Sequence, residues 1–149
     1  MIRSMTEGDI DKCIELGYAM HQESYFKNFE YNNNKLTNLL TTMVSNPQKF
    51  CALVAEKDGE IIGLFVGLCD EHWFGTSTMS CDLAFYVIPS ERGSMAGIKL
   101  IKAYEEWARS IGVSEIILGI YTGINADRTA SLLQRLGFGE QAFAFRKRI

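Results

Sequence analysis

The chain has 149 residues, 15 Lys and Arg against 18 Asp and Glu for a formal charge of −3, and 47% hydrophobic residues with only 2 Pro. That is enough apolar sequence for one domain with its own core, which excludes a disordered tail or linker protein. The one basic block is Arg146-Lys147-Arg148, so the extended basic face that a nucleic-acid backbone requires is missing, and nucleic acid is not expected as a partner.

In chain order, Ile2 to Met5 reads as a short strand. Asp9 is placed to cap a helix in which Ile10, Cys13 or Ile14, Gly17 and Met20 recur at helical spacing. A loop rich in aromatics and amides, Tyr25 to Asn34, separates it from a second helix, Lys35 to Ser45, with Leu36, Leu39, Leu40 and Met43 on one side. Phe50–Glu56 and Glu60–Leu68 flank Lys57-Asp58-Gly59, a hairpin signal. The loop Asp70 to Thr76 leads to a third strand, about Thr78 to Ile88. Ser94 to Ile111 is helical, with Leu100, Tyr104, Trp107 and Ile111 on one face and Lys99, Lys102, Glu106 and Arg109 opposite. Gly112 supplies the stop. Glu115 to Tyr121 reads as a strand, Asn125 or Asp127 as the cap of a helix to Leu136, and Phe138 to Arg146 as an edge strand open to pairing in a homodimer. The expected fold is α/β (α+β), β-α-α-β-β-β-α-β-α-β, a mixed and mainly antiparallel sheet flanked by helices in one domain, residues 1–149.

Cys13, Cys51, Cys69 and Cys81 lack Cys-x-x-Cys spacing, and His21 and His72 are not paired with them, so neither a metal site nor a disulfide framework is expected. No apolar stretch follows Met1, and the longest nearly apolar run, Ile61 to Cys69, is strand-sized. A cytoplasmic protein without a signal peptide or membrane span is the expectation.

The most informative stretch is Phe85-Tyr86-Val87-Ile88-Pro89-Ser90-Glu91-Arg92-Gly93-Ser94-Met95-Ala96-Gly97, where a strand ends, a glycine-containing turn follows and an amphipathic helix begins. Such a unit aims unpaired N–H groups and the positive end of the helix dipole at one point, a natural seat for a diphosphate. With the order of elements, this loop resembles the GCN5-related N-acetyltransferases (GNAT), whose diphosphate loop reads Arg/Gln-x-x-Gly-x-Gly/Ala. Arg92 and Gly97 match its ends, Met95 stands at the central glycine, and Leu136-Gly137-Phe138 matches a later family signature. The Arg-Gly-Ser-Met-Ala run is also similar to bacteriophage-encoded variants. Leu133 stands where the family often has a proton-donating tyrosine, and Ala126 where it has an asparagine, with Asn125 one place early.

The resemblance implies acetyl-CoA as co-substrate, held by the backbone of Phe85 to Ile88, by the Arg92–Gly97 turn (Arg92, Gly93, Ser94, Met95, Ala96, Gly97) and by Asn125 and Arg128. It also implies transfer of the acetyl group to a primary amine by direct attack. Asp82, the only charged residue between Ser77 and Ile88, is the first candidate for the base and matches the position of the glutamate that serves in histone-acetylating members. Glu71 and His72 are its rivals. Tyr121 can serve as acid, directly or through water, or stand simply as an aromatic at a strand end. Cys81 beside Asp82 lacks a sequence-evident His partner, which disfavours a covalent intermediate. Tyr25, Phe29, Glu71 and Trp73 are the residues expected to meet the acceptor, and the acidic Glu23, Glu30, Asp70 and Glu71 favour a cationic amine. The aromatics equally suit a lid's own core. The alternative functions are a module that binds coenzyme A or acyl-CoA without transferring the acyl group and a protein-interaction module on the same fold.

Overall fold

The computed structural model describes residues 1–139 and 144–149. Five strands, β1 (Ile2–Ser4), β2 (Phe50–Lys57), β3 (Glu60–Glu71), β4 (Thr78–Val87) and β5 (Glu115–Ile117), form one sheet in sequential order. The pairings from β1 to β4 are antiparallel, and β4 with β5 is parallel. A parallel neighbour requires a crossover, and helix α3 (Ala96–Ser110) supplies it. Helices α1 (Ile10–Glu23) and α2 (Asn33–Ser45) precede the sheet strands β2 to β5, and α4 (Ala126–Arg135) follows them.

Period-two alternation divides the core into two layers. Val54, Leu64, Val66 and Tyr86 face α1 and α2, packing on Ile10, Cys13, Ile14, Leu40 and Met43. Cys51, Phe65 and Val87 face the other way, onto Leu100, Ile101 and Tyr104 of α3 and Leu133 of α4. Because both faces of β3 are covered, its sequence is continuously apolar from Ile61 to Val66 rather than alternating. Phe65 and Tyr104 stack with ring centroids 4.3 Å apart, which fixes α3 across the middle of the sheet.

Most expected elements form close to their expected bounds, with informative departures. Asp9 precedes α1 but its carboxylate does not bond forward to the helix. It turns back to accept from the Thr6 N–H at 2.8 Å and hydroxyl at 2.7 Å and from both terminal nitrogens of Arg3, at 2.7 and 2.9 Å. The cap of α2 is Asn32, whose side chain accepts from the Lys35 N–H. The α3 helix starts at Ala96 rather than Ser94, leaving Arg92 to Met95 as a turn, after a 3-10 turn over Pro89–Glu91. Strand β5 ends at Ile117, four residues short of the expected Tyr121. Asn125 occupies the position before α4 in a left-handed conformation (φ 45°) and offers its backbone carbonyl, not its side chain, to Thr129. Of the expected last strand, Phe138 to Arg146, positions 140–143 lie outside the described residues, and 138–139 and 144–146 are not strand.

Candidate active site

The site begins with a defect in the sheet. On β3 and β4, Val66 pairs with Ala84 and Gly67 with Asp82, so Leu83 is an extra residue with no partner, a β-bulge. The bulge bends β4 away from β5, and their pairing stops after Cys81 and Ile117. Where the ladder would continue, the Asp82 carboxylate takes its place, accepting the Gly119 N–H at 2.8 Å. Beyond that point the strands diverge around a cleft of about 490 Å³.

Antiparallel alternation determines what β4 presents to the cleft. Ile88 donates to the Ile62 carbonyl, so Tyr86 and Ala84 also turn their backbone groups toward β3, and Phe85 and Val87 turn theirs toward the opening. The Val87 carbonyl on that edge accepts from Arg92 Nε at 2.9 Å. Among the described residues, the remaining groups of Phe85 and Val87 form a free strand edge able to pair with an amide-bearing ligand.

At the mouth, the start of α3 is short of acceptors. Lys99 is the first residue of α3 to find a helical backbone acceptor, the Met95 carbonyl, and Ala96 is held by Ser94 Oγ at 3.2 Å. The Gly97 and Ile98 N–H groups, with the helix dipole behind them, have no backbone acceptor among the described residues and border the cleft. Gly93 adopts φ +99°, a conformation open to glycine, and a β-carbon there would lie 2.8 Å from the Arg128 guanidinium. The N-terminus of α4 thus delivers Arg128 against the turn, and no carboxylate of the described residues pairs with it. Orphaned N–H groups, a free guanidinium-bearing side and an open strand edge fit a diphosphate joined to an amide-containing arm.

Of the residues expected at the site, Asp82, Phe85, Tyr86, Val87, Arg92, Gly93, Ser94, Gly97, Tyr121, Asn125 and Arg128 border the cleft. Burial raises the Asp82 carboxyl above its ordinary range, and the Gly119 N–H offsets part of that rise. Tyr121 folds back over Gly119 and is 58% exposed, on the diverging segment rather than at a strand end. The Arg92 guanidinium is turned to Glu23 rather than held free for an anion. Ile88, Met95 and Ala96 do not border the cleft; Met95 is exposed, so its side chain leaves the cradle unobstructed. Leu133 is buried in the α3 layer, while Leu132 faces the cleft.

The acceptor-side expectations divide. Tyr25 covers Gly123 and donates its N–H to the Thr122 carbonyl, and its neighbour Phe26 borders the cleft. Phe29 lies on the same loop, half exposed. Glu71 and Trp73 are not brought to the cleft. They occupy the opposite end of the β3–β4 hairpin, where Glu71 pairs with Thr78 and Trp73 is 87% exposed, because a ten-residue strand separates that hairpin tip from the mouth. His72 shares that tip, stacked on Phe74. Glu23 and Asp70 have basic neighbours in Arg92 and Lys49, so they are not free charges awaiting an amine. Sequence reasoning missed Leu83, the Gly119 N–H, Leu132 and Arg135. The last two were legible as a face with Arg128 at i, i+4 and i+7; the bulge has no sequence signal.

No group of three or more His, Cys, Asp or Glu among the described residues is arranged to hold a metal, and none of their helices is long and apolar enough to cross a membrane.

Residues 14–138 match the family model of the acetyltransferase (GNAT) family. No curated protein matches the chain in sequence. Solved structures that match include an acetyltransferase of Trypanosoma brucei (20% identity, 100% of this chain and 99% of that one, TM-score 0.75). Others are an aminoglycoside acetyltransferase from an uncultured soil metagenomic sample (19%, 100% and 97%, 0.74) and a ribosomal-protein-alanine N-acetyltransferase from Brucella melitensis biovar Abortus (16%, 100% and 98%, 0.77). At these identities the likeness is one of fold.

Proposed function

The chain belongs to the GNAT acetyltransferase family, and from that footing we propose that it moves an acetyl group from acetyl-CoA to a cationic primary amine by direct attack. The observation that carries the reading is the parting of β4 and β5, which leaves the Phe85 and Val87 backbone edge and the orphaned start of α3 on one cleft.

Acetyl-CoA supplies a thioester, whose carbonyl carbon accepts an amine and whose thiolate is a tolerable leaving group. The Gly97 and Ile98 N–H groups and Arg128 hold the diphosphate, and the Phe85 and Val87 edge pairs with the pantetheine amides. Asp82, directly or through one water, removes the proton from the ammonium so that its nitrogen can form the new C–N bond. The C–S bond breaks as that bond is made, Tyr121 Oη gives its proton to the sulfur, and the second proton to leave the nitrogen restores the phenol through water. The raised Asp82 carboxyl is a better match to this work than an ordinary aspartate. Direct transfer is favoured because burial and the neighbouring Asp82 and Asp70 push the Cys81 thiol up, away from thiolate.

A cationic acceptor is supported by the loop beside the cleft. The Arg146 guanidinium lies 4.7 Å from the Tyr25 ring and 5.3 Å from Phe26, and that of Arg148 lies 5.6 Å from Phe29. That aromatic face therefore suits positive charge.

The test has two arms. Acetyl-CoA at 100 times its dissociation constant should stabilise the fold by about 2.7 kcal/mol in thermal unfolding. Thiol release should then follow on adding amines from a panel of polyamines, aminoglycosides and amino-terminal peptides. Stabilisation without release from any amine selects the alternative of a binding module, and neither effect selects an interaction protein.

A further inference from the structure

The last residue of α1, Glu23, is joined to the diphosphate turn by a closed set of polar contacts. Its carboxylate accepts a hydrogen bond from Arg92 Nη2 at 2.9 Å, has Arg92 Nη1 as an ion-pair neighbour 2.8 Å from its other oxygen, and also accepts from the Tyr86 hydroxyl. Arg92 spends its Nε on the Val87 carbonyl, and its guanidinium carbon lies 5.2 Å from the centroid of the Tyr86 ring. Arg92 is thereby held on three sides, by α1, by the end of β4 and by an aromatic face. The Arg92 charge is neutralised within the protein, so the charge available to a diphosphate at this mouth comes from Arg128 and the α3 N-terminus.

We infer that Glu23 is a positioning residue for the diphosphate turn: by fixing Arg92 it sets the path of the chain from Val87 to Gly93 and so aims the N–H groups at the start of α3. A guanidinium held by hydrogen bonds to Glu23 and to the Val87 carbonyl and lying over the Tyr86 ring is restricted in orientation as well as distance, which a single contact does not achieve. Gly93, next in sequence, takes the positive φ that turns the chain into the cradle, and an arginine free to rotate would leave that turn less ordered before the ligand arrives. The same pair couples the two sides of the cleft. Two residues after Glu23, Tyr25 docks on the Thr122 backbone, so the acceptor-side loop and the diphosphate turn share one anchor.

The inference rests on the acetyl-CoA reading, and calorimetric titration of the whole protein with two ligands separates them. Acetyl-CoA carries the diphosphate, and S-acetylpantetheine has the thioester arm without it. Glu23→Gln, which removes the charge and keeps the shape, should weaken acetyl-CoA by about tenfold, the worth of one charge-assisted hydrogen bond, and leave S-acetylpantetheine unchanged. Placed on an Arg92→Gln background, Glu23→Gln should add nothing, because its effect runs through Arg92. Tyr86→Phe, which removes only the hydroxyl, should shift acetyl-CoA in the same direction by a smaller factor. Equal loss for both ligands would mean a general disturbance of the fold, and unchanged or tighter acetyl-CoA binding would mean that Glu23 merely competes for Arg92; either result overturns the inference alone. Wild-type protein that binds neither ligand overturns the acetyl-CoA reading, and the inference with it.

Discussion

The Asp82 carboxylate accepts the Gly119 N–H at 2.8 Å, at the point where β4 and β5 cease to pair. One side chain thus closes the ladder that its own strand abandons and stands at the inner end of the cleft. A half-buried N–H at that fork needs an acceptor, and a half-buried carboxylate needs a donor, so each meets the requirement of the other.

This double position separates two variants. Asp82→Asn retains an oxygen for Gly119 and should fold normally, yet lower kcat/KM by about 10² to 10⁴ and remove the acid limb of its pH profile. Asp82→Ala leaves the N–H unpaired and should also lose about 1–3 kcal/mol of stability. A pH–rate profile identical to wild type in Asp82→Asn would show that the residue is structural only. The sign for stability follows from the direction of the shift. A carboxyl raised on folding contributes stability that is complete below its unfolded value, near 4, and is lost as pH rises through the folded value, so Asp82→Asn should be neutral or slightly stabilising at pH 7.

Asp9 has the opposite sign. Arg3, and then Thr6, hold its carboxyl far below the usual range despite burial. Its contribution is complete above the unfolded value, near 4, and fades as pH falls through the depressed folded value. Asp9→Asn should lose about 1–3 kcal/mol at pH 7 in urea unfolding, and the gap to wild type should narrow below pH 4. A gap that stays constant to pH 2 would contradict this.

Gly93→Ala places a side chain where φ is +99° and where the Arg128 guanidinium lies 2.8 Å from the new carbon. It should lose about 1–2 kcal/mol in stability and weaken acetyl-CoA by displacing Arg128. Isothermal titration against Arg128→Gln checks the second part, since the two variants should weaken binding in the same direction.

Gly67→Ala probes the bulge rather than the mouth. Its β-carbon would lie 2.8 Å from both the Cys81 carbonyl and the Tyr104 ring, in a region with no room to shift. A loss of about 1–3 kcal/mol is expected on overpacking, measured by denaturant midpoint at unchanged m-value. A stability equal to wild type would mean that β3 and α3 separate more easily than their packing implies.

Tyr121→Phe removes a phenol and keeps the ring over Gly119. If Tyr121 Oη returns the proton, kcat should fall while the KM for acetyl-CoA holds. Unchanged kcat would assign the ring to packing alone.

Much of the fold was legible because its signals are local. The Asp58-Gly59 turn, the α3 stripe of Leu100 and Tyr104, and the Gly112 stop each depend on residues a few positions apart, and each stands as expected. The orphaned N–H groups at the start of α3 were likewise implied by a strand, a turn and a helix in succession. Glu71 and Trp73 stand away from the cleft, which composition could not foretell, because it does not say to which end of a hairpin a loop belongs.

By itself, then, the sequence determined the succession of elements, their buried faces and a loop able to hold a diphosphate, since periodicity and turn chemistry are properties of neighbours along the chain. Tertiary structure alone decided where the cleft opens and which charges remain free. The bulge at Leu83 ends the β4–β5 pairing, Asp82 reaches 37 positions along the chain to Gly119, and Glu23 reaches 69 to claim Arg92. Contacts at such separations depend on how strands and helices pack, and no local pattern encodes them.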